Sequence, residues 1–301
     1  MKIGLTKDPC HWNKEAYSFL STGEIASSKL AAERLPIRDI KVGAHSLAVV
    51  VIWSHSVSEG GQADLVILYH GGGAVSFGKD NTSLKHKGFK ALRGPDALRT
   101  SDIHVSQIPQ QVAAMGEDRP VLVMIPQGPH RENFGLIEAE SLWDGLKVEG
   151  QITADMRNCY VAGHSAGGPL AVKAAHHPDI KGLFLFDPVL QDDLSYIKEF
   201  IDERSGPDFH FSAVFNTSTF GKFTRYKGAG KRLQKHAGGR YPVILKEDAR
   251  GEHAHHSMVS AGTESQDKQV DGRAGYTRDY VPGTGNLELA LRQTSHQNLV
   301  A

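Results

Sequence analysis

Ser165 stands in Gly163-His164-Ser165-Ala166-Gly167-Gly168, directly after an apolar run over residues 159–162 and ahead of Pro169-Leu170-Ala171-Val172-Lys173-Ala174-Ala175. The pattern predicts a strand, a sharp turn and a helix with a serine at the tip, a nucleophile elbow. A serine on such a turn holds a strained backbone, and the residues two positions either side are crowded by strand and helix. Gly163 and Gly167 lack the Cβ that would clash there. The turn lifts the hydroxyl to the end of a sheet and leaves the Ala166 N–H free to face a developing oxyanion. The chemistry in reach is nucleophilic attack on a carbonyl carbon. A serine hydroxyl does that only with a base, a group that orients the base and further oxyanion donors.

Each requirement has candidates elsewhere. His70-Gly71-Gly72-Gly73 follows the apolar residues 65–69, and consecutive glycines let backbone N–H groups approach a substrate closely. Gly71, Gly72 and Gly73 are thus expected oxyanion donors beside Ala166, where one donor is worth about 10²–10³ in rate. A plain flexible loop or a phosphate cradle is the alternative. For the base, Gly251-Glu252-His253-Ala254-His255-His256-Ser257-Met258 offers three histidines. The tract lacks the spacings of a metal-binding motif, so no metal is expected there. His164 leaves the turn in another direction and reads as structural. For the acid, residues 216–246 contain no Asp or Glu. Asp187, at the end of the apolar residues 182–186, is then the expected carboxylate, with Asp192 and Asp193 as fallbacks. Read without function, Asp187-Pro188 is a turn.

These residues need a scaffold. Short apolar runs at 37–42, 47–53, 65–69, 120–125, 182–186, 209–215 and 241–245 read as strands, joined by the strand of the elbow. Helical patterns cover 105–115, 136–146, 169–175 and 194–201. The alternation predicts an α/β chain with a doubly wound, mostly parallel sheet, in which chemistry sits at the carboxyl ends of the strands. Residues 1–301 read as a single domain, with a helical extension over 1–36 and a C-terminal loop and short helix over 260–301. About twenty residues separate the two strands after the elbow, too few for a large lid.

Composition narrows the classes. Among 301 residues the formal net charge is zero, so no global field draws nucleic acid or an acidic membrane. No apolar run is long enough to span a bilayer, and the first residues carry no hydrophobic signal core. Cys10 and Cys159 are the only cysteines, which fits a reducing compartment and a cytoplasmic location. The sequons at Asn81 and Asn216 read as chance matches. Lys222, Arg225, Lys227, Lys231, Arg232, Lys235 and Arg240 make a basic loop without an acidic partner. It is either a solvated face or a surface that receives an anionic part of a substrate. Gly228-Ala229-Gly230-Lys231 is no phosphate loop, because the leading glycine and the trailing Ser or Thr are missing.

Over residues 45–258 the chain resembles the α/β-hydrolase superfamily, on His70-Gly71-Gly72-Gly73, Gly163-His164-Ser165-Ala166-Gly167-Gly168 and the order serine, acid, histidine. The glycine run is similar to the oxyanion loop of hormone-sensitive-lipase-like esterases, although those carry Asp before the serine of the elbow and place their acid later. Phe186-Asp187-Pro188 looks more like chlorophyllases, platelet-activating-factor acetylhydrolases and pancreatic-type lipases. His255-His256-Ser257-Met258 is loosely similar to the acetylhydrolase histidine motif, which favours His255 over His256. The resemblance implies hydrolysis of a small carboxylic ester through an acyl-enzyme, with no metal or organic cofactor. The lack of room for a large lid adds the expectation of short to medium acyl chains. The same groups serve a thioesterase, amidase or peptidase, and a silent binding protein of this fold is the non-enzyme alternative. Oligomeric state is left open.

Overall fold

The computed structural model describes residues 4–5, 37–42, 45–54, 57, 61–69, 108–115, 119–127, 153–188, 194–204, 206, 208–217, 228–246, 257–259 and 282–296. The elements are β1 (Gly4–Leu5), β2 (Ile37–Val42), β3 (His45–Trp53), β4 (Gln62–Tyr69), α1 (Ile108–Met115), β5 (Val121–Gln127), β6 (Asp155–His164), α2 (Gly168–Ala175), β7 (Ile180–Phe186), α3 (Ser195–Glu203), β8 (His210–Asn216), α4 (Ala229–Ala237), β9 (Val243–Lys246) and α5 (Asn286–His296).

Among the described residues the strands form one nine-stranded sheet in the order β1-β2-β3-β5-β4-β6-β7-β8-β9. Pairing is antiparallel from β1 through β3 to β5 and parallel from β5 onward. β4 lies between β5 and β6. The chain therefore leaves β4 toward one edge, returns past it to β6, and continues to β9 in the other direction. In such sheets ligands bind beyond the carboxyl ends of the strands, where the order reverses.

Both faces of the sheet are covered, which is why its strands read as continuous apolar runs. Leu65, Ile67 and Tyr69 of β4 point to one face, where Ala171 of α2, Ile197 and Phe200 of α3 and Leu233 of α4 complete a buried cluster. Val66 and Leu68 point to the other, with Ile108, Val112 and Met115 of α1 and Leu287, Ala290 and Leu291 of α5. Alternation along a pleated strand assigns each side chain to its layer.

At the amino edge a buried ionic cluster locks α5 to the sheet. Asp64, fully buried in β4, accepts from Arg119 Nε at 2.6 Å, from Arg157 at 2.7 and 2.9 Å, and from Asn158 Nδ2 at 3.1 Å. Arg119 also donates to the Leu291 carbonyl and to the Tyr160 hydroxyl. Burial raises the cost of the Asp64 charge, but the Arg157 hydrogen bonds and the Arg119 charge outweigh it and hold the carboxyl below its ordinary range.

Two elements differ from expectation. Residues 229–237, taken as part of a basic loop, form α4. Ala229, Leu233 and Ala237, four apart, make a narrow buried stripe, while Lys231, Arg232, Gln234 and Lys235 face outward. Gly4–Leu5, inside the expected helical extension, pair with β2 as a strand. The last helix runs over Asn286–His296, with Glu288 paired to Arg292 one turn on at 2.8 Å. The rest of the expected helical extension up to residue 36 and the helical pattern at 136–146 lie outside the described residues.

Candidate functional site

β6 ends at His164 in an extended conformation (φ −108°, ψ 137°), and at Ser165 the backbone turns over to φ +51°. Ser165–Gly167 make a single 3₁₀ turn, and α2 begins at Gly168 with Pro169 in its first turn. The Gly168 N–H closes the turn on the Ser165 carbonyl. A left-handed serine costs about 1–3 kcal/mol and persists only where its surroundings impose it. Here they do. A Cβ built on Gly163 would sit 2.7 Å from the Gly167 carbonyl oxygen and 2.8 Å from both the Ala171 Cβ and the Gly168 Cα. Only glycine lets helix and strand approach this closely. Ser165 is 6% exposed and His164 1%, so the serine sits recessed at the tip and the histidine beside it is part of the interior.

Asp187 follows β7 as Ser165 follows β6. Its backbone is also left-handed, at φ +42°. Its N–H donates to the Val214 carbonyl at 2.7 Å, and its Oδ1 accepts from the Asn216 N–H at 3.0 Å. The carboxylate thus leans across to the end of β8, the strand whose own continuation supplies no acid. Asn216 entered the sequence reading only as a sequon. Its role here is carried by a backbone group, which leaves no side-chain signal.

Ala166 lies within the 3₁₀ turn. Gly71, Gly72 and Gly73 lie outside the described residues, but the strand that leads to them is fixed. Tyr69, the last residue of β4, pairs with Gly163 of β6, so the two strands end side by side. Asp192 and Asp193 also lie outside the described residues, as do His253, His255 and His256. The flanks of the histidine tract are described. β9 ends at Lys246, and Ser257–Val259 form a 3₁₀ turn in which Met258 and Val259 are fully buried.

Two buried amides hold that turn. Asn286 Nδ2 donates to the Met258 carbonyl at 2.7 Å, and Gln111 Nε2 donates to the Val259 carbonyl at 3.1 Å. Asn286 Oδ1 in turn accepts from Lys246 Nζ at 2.9 Å. Burial pushes the Lys246 ammonium below its ordinary value. None of these residues stands out in the sequence, because their partners are backbone carbonyls and each other.

The basic segment needs correcting. Arg240 is not without an acidic partner: it meets Asp202 of α3 at 2.9 Å, where His236 joins it. Because α4 runs back against the strands to reach the start of β9, Arg240 lies at the amino edge, opposite the end that carries Ser165. Lys222, Arg225 and Lys227 lie outside the described residues.

No family model and no curated protein matches the chain. Solved structures do. A siderophore hydrolase from Aspergillus nidulans is similar at 13% identity and TM-score 0.46, over 90% of this chain and 96% of that one. An esterase from Thermogutta terrifontis is similar at 15% identity and TM-score 0.43, over 89% and 92%. The feruloyl esterase module from Clostridium thermocellum is similar at 12% identity and TM-score 0.46, over 75% and 85%. At these identities and scores no activity or residue role transfers to this chain.

Proposed function

We propose that this chain, which has the α/β-hydrolase fold, hydrolyses carboxylic esters through an acyl-enzyme on Ser165. The observation that carries the reading is the left-handed Ser165 at the carboxyl end of β6, one strand from a left-handed Asp187. In the proposed cycle Ser165 Oγ attacks the ester carbonyl while its proton passes to His255, with His256 as the alternative base. Asp187 holds the imidazole in one tautomer and stabilises its cation. The N–H of Ala166 and those of Gly72 or its neighbours Gly71 and Gly73 receive the oxyanion. Collapse expels the alcohol, which takes the proton from the imidazole. Water, giving a proton to the same imidazole, then attacks the acyl-enzyme. As the bond to Ser165 Oγ breaks, the imidazole returns that proton to the serine and the carboxylic acid is released.

We assign a small ester of short to medium acyl chain, because the connection after β7 is too short for a large lid. A thioester, amide or peptide bond would pass through the same steps, and the relative rates on ester, thioester and anilide substrates separate them. Among the described residues, no helix is long and apolar enough to cross a membrane. The free, buried Cys159 supports a reducing, cytoplasmic setting. The deciding experiment is turnover of p-nitrophenyl butyrate together with labelling by a fluorophosphonate. Both should occur in the wild type and vanish in Ser165→Ala, and a wild type that does neither rejects the reading.

A further inference from the structure

Residues 247–256 carry all three candidate histidines, and they join two described points at the carboxyl edge. One is Lys246, the last residue of β9, and the other is the turn Ser257–Val259. A single buried side chain ties both points together. Asn286, 3% exposed at the start of α5, accepts from Lys246 Nζ through Oδ1 and donates to the Met258 carbonyl through Nδ2.

The same connection reaches the proposed acid. Lys246 pairs with Asn216 across β8 and β9, and its carbonyl accepts from the Thr217 N–H at 2.7 Å and the Thr217 hydroxyl at 3.2 Å. Asn216 is the residue whose N–H holds Asp187 Oδ1. An unbroken path thus runs from the carboxylate, through the ends of β8 and β9 and one amide, to the carbonyl two residues beyond His256.

Resting on the hydrolase reading above, we propose that Asn286 is a positioning residue, which fixes Lys246 and Met258, the two described flanks of the stretch that carries the candidate histidines. An amide suits the task because it accepts on one atom and donates on the other. Aspartate at this position could keep the lysine but could not donate to Met258. A fully satisfied buried hydrogen-bond network rigidifies the groups it joins. A displacement of about 1 Å at the reacting groups costs on the order of 10²-fold in rate.

The test compares Asn286→Ala, Asn286→Asp and Lys246→Met with the wild type, after each is shown folded by circular dichroism and thermal melting. Asn286→Ala should lower kcat about 10- to 10²-fold with KM nearly unchanged. The rate of fluorophosphonate labelling should fall in parallel. The acid limb of the kcat profile should move to lower pH, because an imidazole held less well by Asp187 is a weaker base. Asn286→Asp should fail to restore the rate. Lys246→Met leaves the Met258 bond in place and should give a smaller loss in the same direction, and it decides the matter if Asn286→Ala does not fold. Folded variants with unchanged kcat and labelling, or a rise in KM alone, overturn the positioning role while leaving Ser165 untouched. A wild type that neither turns over nor labels overturns both.

Discussion

Ser165 and Asp187 are the first residues beyond a register pair, His164 on β6 opposite Phe186 on β7, and both leave their strands with a left-handed backbone. Two non-glycine residues at positive φ on adjacent strand ends concentrate strain at one point of the sheet, which is where function tends to hold it. In the proposed mechanism Asp187 acts only through the imidazole. Asp187→Asn should therefore keep the Asn216 contact and the fold but lower kcat by about 10⁴, while Ser165→Ala lowers it by about 10⁶. Steady-state kinetics beside Asp192→Asn separates the two candidates. If Asp192→Asn is the crippled variant and Asp187→Asn is not, the acid lies further along the chain.

Gly163 has no room for a methyl group. Its nearest neighbours would be the Gly167 carbonyl oxygen, the Gly168 Cα and the Ala171 Cβ, two backbone atoms and a Cβ, none of which can rotate away. Gly163→Ala should prise α2 from β6, destabilise the fold by about 1–3 kcal/mol and move Ser165 off its turn. Thermal melting and fluorophosphonate labelling should change together. A variant that melts at the wild-type temperature and labels normally would show that the turn tolerates more than these distances allow.

Asp64 at the amino edge should make stability depend on pH in the acid range. Asp64 is held below its ordinary range when folded, so the unfolded chain binds the proton more tightly and stability rises with pH through that window. Its contribution is complete above the unfolded value of about 3.9 and is lost as pH falls through the lower folded value. Asp64→Ala strands Arg119 in the interior beside Leu291 and Tyr160, and should cost about 3–5 kcal/mol at neutral pH. Urea unfolding between pH 7 and pH 3 measures both effects. The wild-type curve should fall steeply at the acid end and the variant curve should be flatter there; parallel curves would remove Asp64 as the cause.

The elbow was legible because its chemistry needs particular residue types at fixed spacing, and glycine at 163 has one explanation. β4, β5, β7 and β8 were legible because burial on both faces writes them as apolar runs. α4 was not. Its buried stripe is Ala229, Leu233 and Ala237, too little apolar surface to outweigh three lysines and arginines and a glycine when the segment is read without its neighbours. Nor was the Asn286 clamp, since a single amide bonded to a carbonyl and an ammonium leaves no pattern in composition or period.

Gly230 shows what makes that helix possible, and it gives the last prediction. A Cβ there would come within 2.7 Å of Phe215 Cγ, 2.8 Å of Phe215 Cβ and 2.9 Å of Leu245 Cδ2. Two effects compete in Gly230→Ala. Helix propensity favours alanine by about 1 kcal/mol. Overpacking against the stem of Phe215, which cannot swing clear as a side-chain tip could, costs about 1–3 kcal/mol. The clash should win, with a net loss of stability seen as a lower urea midpoint at unchanged slope. Phe215→Ala removes Cγ but keeps Cβ, so it should relieve the loss only in part. If Gly230→Ala raises the midpoint in the wild-type background, α4 does not pack on β8 as closely as these distances require.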